Sequence, residues 1–153
     1  MNVLGALTSG PTAFRGEGIN HENEPFIGKL TVQALEGGSA ALLKYVATLS
    51  SGELAHSEST LLGVGPDGNL CLWPVMSELP VVLPHVEKVS RSEPGAFTEA
   101  VFASGTRDDL TSFREEITIR INSDGSLLYT HAWGLPGGSF EERSSCSMVP
   151  SVA

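Results

Sequence analysis

Histidines, acids and aromatics placed two residues apart are the features of this sequence best suited to chemistry. In Leu127-Leu128-Tyr129-Thr130-His131-Ala132-Trp133, the residues Tyr129, His131 and Trp133 share one parity with Leu127. Alternate side chains of a β-strand point to the same face, so these polar and aromatic groups are expected on an inward, apolar face. A His and a Trp on such a face can flank a bound aromatic or amide group. Glu115 is the other polar residue out of place, because it shares parity with Phe113 and Ile117. A buried carboxylate needs a partner, and His131 and Arg114 are the local candidates. A Glu115–His131 pair would suit general acid–base work or would fix the orientation of a ligand.

His–Glu neighbours recur at His21-Glu22, His56-x-Glu58 and His85-x-Glu87. Spacing of two on a strand puts both side chains on one face, which places His56 and Glu58 among the candidate ligand-binding residues, with Trp73 beside them in Leu72-Trp73-Pro74-Val75-Met76. Such a pair would suit a metal, but a metal needs a third ligand and nothing in the spacing supplies one, so no metal is expected. His-x-His, Cys-x-x-Cys and His-Glu-x-x-His are absent, as are Gly-x-Ser-x-Gly and a P-loop. The polar stretch from Arg15 to Phe26 is dense in donors and acceptors and is a candidate for lining an opening.

The elements that must position these groups read as strands. Turn signals fall at Gly16-Glu17-Gly18, Gly37-Gly38, Ser51-Gly52, Pro66-Asp67-Gly68, Ser92 to Gly95, Arg107-Asp108-Asp109, Ser123-Asp124-Gly125 and Pro136-Gly137-Gly138. Between them lie runs rich in Val, Ile, Leu, Thr and aromatics, the pattern of an all-β sandwich or barrel. Strands are expected at Gly28–Leu35, Ala41–Leu49, Glu53–Gly63, Asn69–Val75, Ala100–Ser104, Leu110–Ile121, Ser126–Gly134 and Phe140–Val149. In the last of these, Phe140, Glu142, Ser144, Cys146 and Met148 share a parity and are expected on one face. The turn at Asn122–Gly125 pairs Leu110–Ile121 backwards along Ser126–Gly134, so Glu115 should fall opposite a residue between Thr130 and Trp133. The segment Pro74 to His85 holds three prolines among apolar residues. It reads as an apolar loop or a helical turn packed on the core or lying over a barrel mouth. The expected fold is an all-β, antiparallel up-and-down barrel of about eight to ten strands, in one domain spanning 1–153.

Bulk properties narrow the partners. The net charge is −9, and the basic residues are scattered, which disfavours nucleic acid and anionic membranes. Apolar runs fall far short of the roughly 20 residues that a membrane-spanning helix needs. Cys71 and Cys146 do not make a disulfide framework, and no signal peptide is apparent, so a cytoplasmic location is expected. The sequence leaves assembly as a homodimer open.

Gly52-Glu53-Leu54-Ala55-His56-Ser57-Glu58-Ser59, followed by Gly65-Pro66-Asp67-Gly68 and an apolar strand, resembles the third and fourth strands of nitrobindin-like β-barrel proteins. Glu24-Pro25-Phe26 is similar to their early Pro-Phe motif, and Leu127-Leu128-Tyr129 to their penultimate strand. The resemblance implies the lipocalin and fatty-acid-binding (calycin) group of barrels. The chain also resembles uncharacterised bacterial barrel proteins through Phe113-Arg114-Glu115-Glu116-Ile117, His131-Ala132-Trp133-Gly134-Leu135-Pro136-Gly137-Gly138 and Leu72-Trp73-Pro74-Val75-Met76, with which no activity comes. Nitrobindin-like proteins bind haem through a His on the last strand. The last strand here contains no His, so haem is not expected. The leading expectation is therefore the binding of a small apolar or aromatic molecule inside a barrel. An enzyme using a Glu–His pair and a side-chain-filled interaction barrel are the alternatives.

Overall fold

A computed structural model describes residues 1–152. Ten antiparallel strands close on themselves: β1 (Ala13–Ile19), β2 (Pro25–Leu35), β3 (Ala40–Leu49), β4 (Leu54–Val64), β5 (Leu70–Met76), β6 (His85–Glu93), β7 (Phe97–Ser104), β8 (Arg114–Asn122), β9 (Leu127–Gly134) and β10 (Glu141–Pro150). Each strand pairs with its neighbours in sequence, and β1 closes the barrel against β10. Closure removes the two edge strands of an open sheet, and the short β5–β6 pairing is its weakest seam. Short turns suffice because no parallel crossover is needed.

Period-two alternation sorts the side chains. Leu43, Tyr45 and Ala47 of β3, Glu58, Thr60 and Leu62 of β4, Ile117 and Ile119 of β8, and Leu127, Tyr129 and His131 of β9 are buried inside. The interior is layered. One end is filled by aliphatic side chains and sealed by a short helix, α1 (Val3–Thr8), which buries Val3, Leu4 and Leu7. Asn2 caps this helix by accepting from the Gly5 amide. The opposite end, where the β1–β2, β3–β4, β5–β6, β7–β8 and β9–β10 loops gather, carries the cavity.

Three sequence expectations change. Gly16-Glu17-Gly18 lies inside β1 rather than in a turn. Its glycines serve close approach: a Cβ on Gly18 would meet the Phe26 ring at 2.4 Å, so only glycine lets that ring cross the strand. Pro74 belongs to β5, not to a loop. It is tolerated because β5 pairs with β6 only at Cys71–Val86 and Leu72–His85, which leaves the stretch around Pro74 unpaired on that side. The loop proper is residues 77–84, and β6 follows it. Finally, β10 carries a bulge between Glu142 and Ser144. Glu142 pairs with Ala132 and Ser144 with His131, so the two lie on opposite faces despite their shared parity. No helix among the described residues is long and apolar enough to cross a membrane.

Candidate functional site

The hairpin β8–β9 has Ile121 opposite Leu127, which places Glu115 opposite Trp133 and Ile117 opposite His131. Glu115, His131 and Trp133 line one cavity of about 300 Å³, whereas Tyr129, expected with them on the inward face, is buried against Glu58 and does not line it. The expected Glu115–His131 pair does not form, however. Glu115 Oε1 receives His85 Nε2 at 2.8 Å, from the start of β6, while the other ring nitrogen of His85 meets the Leu83 carbonyl at 2.7 Å. Glu115 and His131 are diagonal neighbours, offset by two residues along the hairpin, and His85 fills the space beside the acid.

The partner of His131 comes from the far wall. β4 and β9 stand opposite each other in the closed strand order. Glu58 Oε1 accepts from His131 Nε2 at 2.9 Å and from His56 Nε2 at 2.9 Å. Its Oε2 accepts from the Thr60 hydroxyl at 2.7 Å and from the Tyr129 hydroxyl. Glu58 is thus a buried carboxylate with both oxygens doubly served, a strut across the barrel. Burial alone would raise its pKa. The bonds from His131 and His56 outweigh that and hold it well below the usual carboxylate range. Tyr129 moves the opposite way, its ionisation suppressed by burial and by the Glu58 charge.

His56 lies between two acids. Its Nδ1 meets Glu78 at 2.8 Å, and its Nε2 meets Glu58. An imidazole facing a carboxylate at each nitrogen is stabilised as the cation. Burial opposes this, but Glu58 and Glu78 prevail and raise the pKa to about 9. Glu78 is positioned by Ser77, whose amide donates to the Ser57 carbonyl at 2.9 Å and whose hydroxyl accepts from the Ser57 amide at 3.2 Å. His56 faces inward by regular alternation with Glu58, Thr60 and Leu62, and a one-residue irregularity at Ala55, between the pairs Ala47–His56 and Thr48–Leu54, follows it toward the mouth.

Above this polar floor the walls are apolar. Phe26, Met76, Leu79, Phe113, Trp133 and Leu135 line the cavity. Trp133 anchors the rim: the Phe113 ring lies at 6.4 Å, His21 meets it edge-on at 5.5 Å, and the Arg143 guanidinium covers it at 4.6 Å. Tyr45 packs against His131 and Tyr129 with ring centroids at 6.0 and 4.6 Å. Its hydroxyl is buried without a hydrogen-bond partner among the described residues, and its ionisation is suppressed first by burial and next by Cys146. His131 lines the cavity, and its Nδ1 has no hydrogen-bond partner among the described residues.

The sequence-derived residues therefore separate. His56, Glu58, Tyr129 and His131 meet in one hydrogen-bonded cluster, Trp133 and Glu115 border the same cavity, and Trp73 lies elsewhere, opposite the exposed Leu61 on the outer face of β5. Asn20 and His21, from the polar N-terminal stretch, do line the opening, and the Pro-rich loop contributes Glu78 and Leu79 to it. Tyr45, Glu78, His85 and Arg143 were not foreseen. Tyr45 could have been found from its parity with Ala41, Leu43 and Ala47. Glu78 carries no such signal, because it comes from a loop.

No protein-family model matches the chain, and no curated protein is detectably similar to it in sequence. Among solved structures it is similar to the crystal structure of Rv2717c from M. tuberculosis, at 16% identity and a TM-score of 0.77, over 99% of this chain and 99% of that one. That likeness shows a shared barrel fold.

Proposed function

We propose that the barrel binds a small apolar or aromatic molecule that offers a hydrogen-bond donor to His131. The observation that carries this reading is the cavity of about 300 Å³, with walls of Phe26, Met76, Leu79, Phe113, Trp133 and Leu135 over a floor of His56 and His131. Its volume suits a mono- or bicyclic ligand, since small-molecule sites begin at about 300 Å³. In its neutral form, with Nε2–H given to Glu58, the His131 ring presents Nδ1 as an acceptor, the natural contact for a ligand hydroxyl or N–H. A cavity of this kind also favours binding over the side-chain-filled alternative. The resemblance to nitrobindin-like and calycin barrels supports the same reading. Haem stays outside it: β10 offers Ser144, Cys146 and Met148 inward and no His, and His56 and His131 on the cavity floor both direct Nε2 to Glu58. Native mass spectrometry of the purified protein should find a co-purified small molecule, released on unfolding. Stripped protein should then rebind an aromatic probe such as 2-naphthol and quench Trp133 in a Trp73→Phe background. Absence of saturable quenching by every mono- and bicyclic probe tried would defeat the proposal.

A second reading follows from the same His131. A carboxylate-oriented imidazole with a free nitrogen on a cavity is also the arrangement of a general base. Conversion of the captured molecule, lost in His131→Ala while its binding persists, would favour catalysis. Unchanged ligand after long incubation would favour binding alone.

A further inference from the structure

We propose that His56, Glu58 and His131 form a site for a divalent transition ion of the zinc class, with one coordination position open to the cavity. The donor atoms are His56 Nε2, His131 Nε2 and Glu58 Oε1, and all lie within 4.8 Å of one another. Two imidazoles and one carboxylate are a recurrent donor set for Zn²⁺ sites that keep an open position. The site shares the floor of the cavity, and an ion there would turn His131 Nδ1 from an acceptor into a donor, so the ligand proposed above belongs to the metal-free protein.

Three features favour an ion over a hydrogen-bonded cluster alone. First, the supporting contacts are those of a ligand set. His56 Nδ1 is held by Glu78 at 2.8 Å, the outer carboxylate contact that fixes a ligating imidazole and leaves Nε2 as its donor. Second, Thr60 and Tyr129 both serve Glu58 Oε2, which directs Oε1 alone to the histidines as a monodentate ligand. Third, all three donors sit on strands, β4 and β9, so the geometry is carried by the barrel and not by a loop. Ligands on a tetrahedral Zn²⁺ at about 2.0–2.1 Å stand roughly 3.3 Å apart. The two 2.9 Å contacts to Oε1 therefore need to open by only a few tenths of an ångström. The ion replaces the protons that each Nε2 directs to Glu58. The proton from His56 passes to solvent, since its Nδ1 keeps the one shared with Glu78. The proton from His131 moves to its own unpartnered Nδ1.

The test is titration of chelator-treated, full-length protein with Zn²⁺ by calorimetry and with Co²⁺ by visible absorption. The expected result is one ion per chain, intense d–d bands of a four- or five-coordinate Co²⁺ centre, and a large ¹⁵N shift at Nε2 of both His56 and His131 on Zn²⁺ addition. His56→Ala and His131→Ala should abolish binding. Glu78→Gln, at a half-exposed side chain whose loss the fold tolerates, should weaken it by about tenfold or more. Asp67→Asn, in the exposed β4–β5 turn at the opposite end of the barrel, should leave it unchanged. If an alanine variant does not fold, the wild-type ¹⁵N shifts and Glu78→Gln decide the matter. Non-saturable binding, the weak spectrum of six-coordinate aqueous Co²⁺, or saturable binding unaffected by Glu78→Gln and silent at both Nε2 atoms would overturn the proposal. The 2-naphthol titration run on chelated protein separates the two readings. Naphthol binding without metal binding sinks only this inference, and the reverse sinks only the proposed ligand.

Discussion

Glu58 is where the sequence and the barrel meet most closely, because four side chains donate to one buried carboxylate. Glu58→Gln replaces two acceptor edges by one acceptor and one donor, so at least one partner loses its bond. A destabilisation of about 3 kcal/mol is expected from denaturant midpoints, the cost of breaking a buried charged contact. In the same metal-free variant the His56 pKa should drop from about 9 toward its ordinary 6.5, which NMR titration of the ring can follow. An unmoved His56 would mean that Glu78 alone holds the cation. The pH dependence follows from the directions of these shifts. The contribution of His56 is complete below about pH 6.5 and fades as pH rises through 9, because there the folded state holds a proton the unfolded chain has released. It amounts to at most about 3 kcal/mol. The contribution of Glu58 runs the other way, present above its ordinary 4.5 and lost as pH falls below it. Metal-free protein should thus be most stable between about pH 5 and 6.5, and a thermal midpoint that climbs steadily from pH 6.5 to 9 would contradict the cluster. The sequence showed half of this cluster. Period-two spacing made His56 and Glu58 neighbours on one face, and parity turned Tyr129 and His131 inward. Their meeting was illegible, because β4 and β9 are opposite walls and no local pattern records who faces whom across a barrel.

Elements carry the site through small irregularities. The bulge near Arg143 frees that guanidinium to cover Trp133 and to donate to the Trp133 carbonyl at 3.1 Å. Arg114 does similar work outside the barrel. It has the outward parity expected for β8, yet it is buried, and its guanidinium donates to the carbonyls of Arg107, Leu135 and Gly138 at 3.0, 2.7 and 2.6 Å. It pins the β7–β8 and β9–β10 loops that shape the mouth. Gly134 is required beside it, because a Cβ there would meet the guanidinium carbon at 2.7 Å. A lysine has one nitrogen in place of three. Arg114→Lys should therefore cost about 2–3 kcal/mol and raise hydrogen exchange in residues 107–112 and 135–138, with the β2–β3 amides unchanged. Uniform exchange across the barrel would show that Arg114 serves global stability and not the mouth. Eight strands were legible from alternation and turn residues. β1 was hidden by its glycines, which resemble a turn. β6 was hidden because most of its residues are exposed and lack an apolar face. The six-residue α1 is too short for a helical period to declare itself.

At the scale of the whole molecule, the barrel is packed solid at the α1 end and hollow at the other. Aliphatic layers from Leu30, Leu43, Leu62, Leu72, Ile117 and Leu127 fill the interior there, and the polar cluster marks where aliphatic filling stops. This division was legible only as a barrel with some polar residues turned inward. The volume left over depends on how the walls fit together, and composition does not encode it. The measurement that most directly tests a ligand-binding barrel is a ¹⁵N NMR titration of the side-chain rings with 2-naphthol. The account predicts saturable shifts at His131 Nδ1 and at the Trp133 indole N–H, with the same affinity at both, and no shift at the outward Trp73 indole. Shifts at Trp73 without His131 and Trp133, or none that saturate at any ring for 2-naphthol or its mono- and bicyclic analogues, would contradict it.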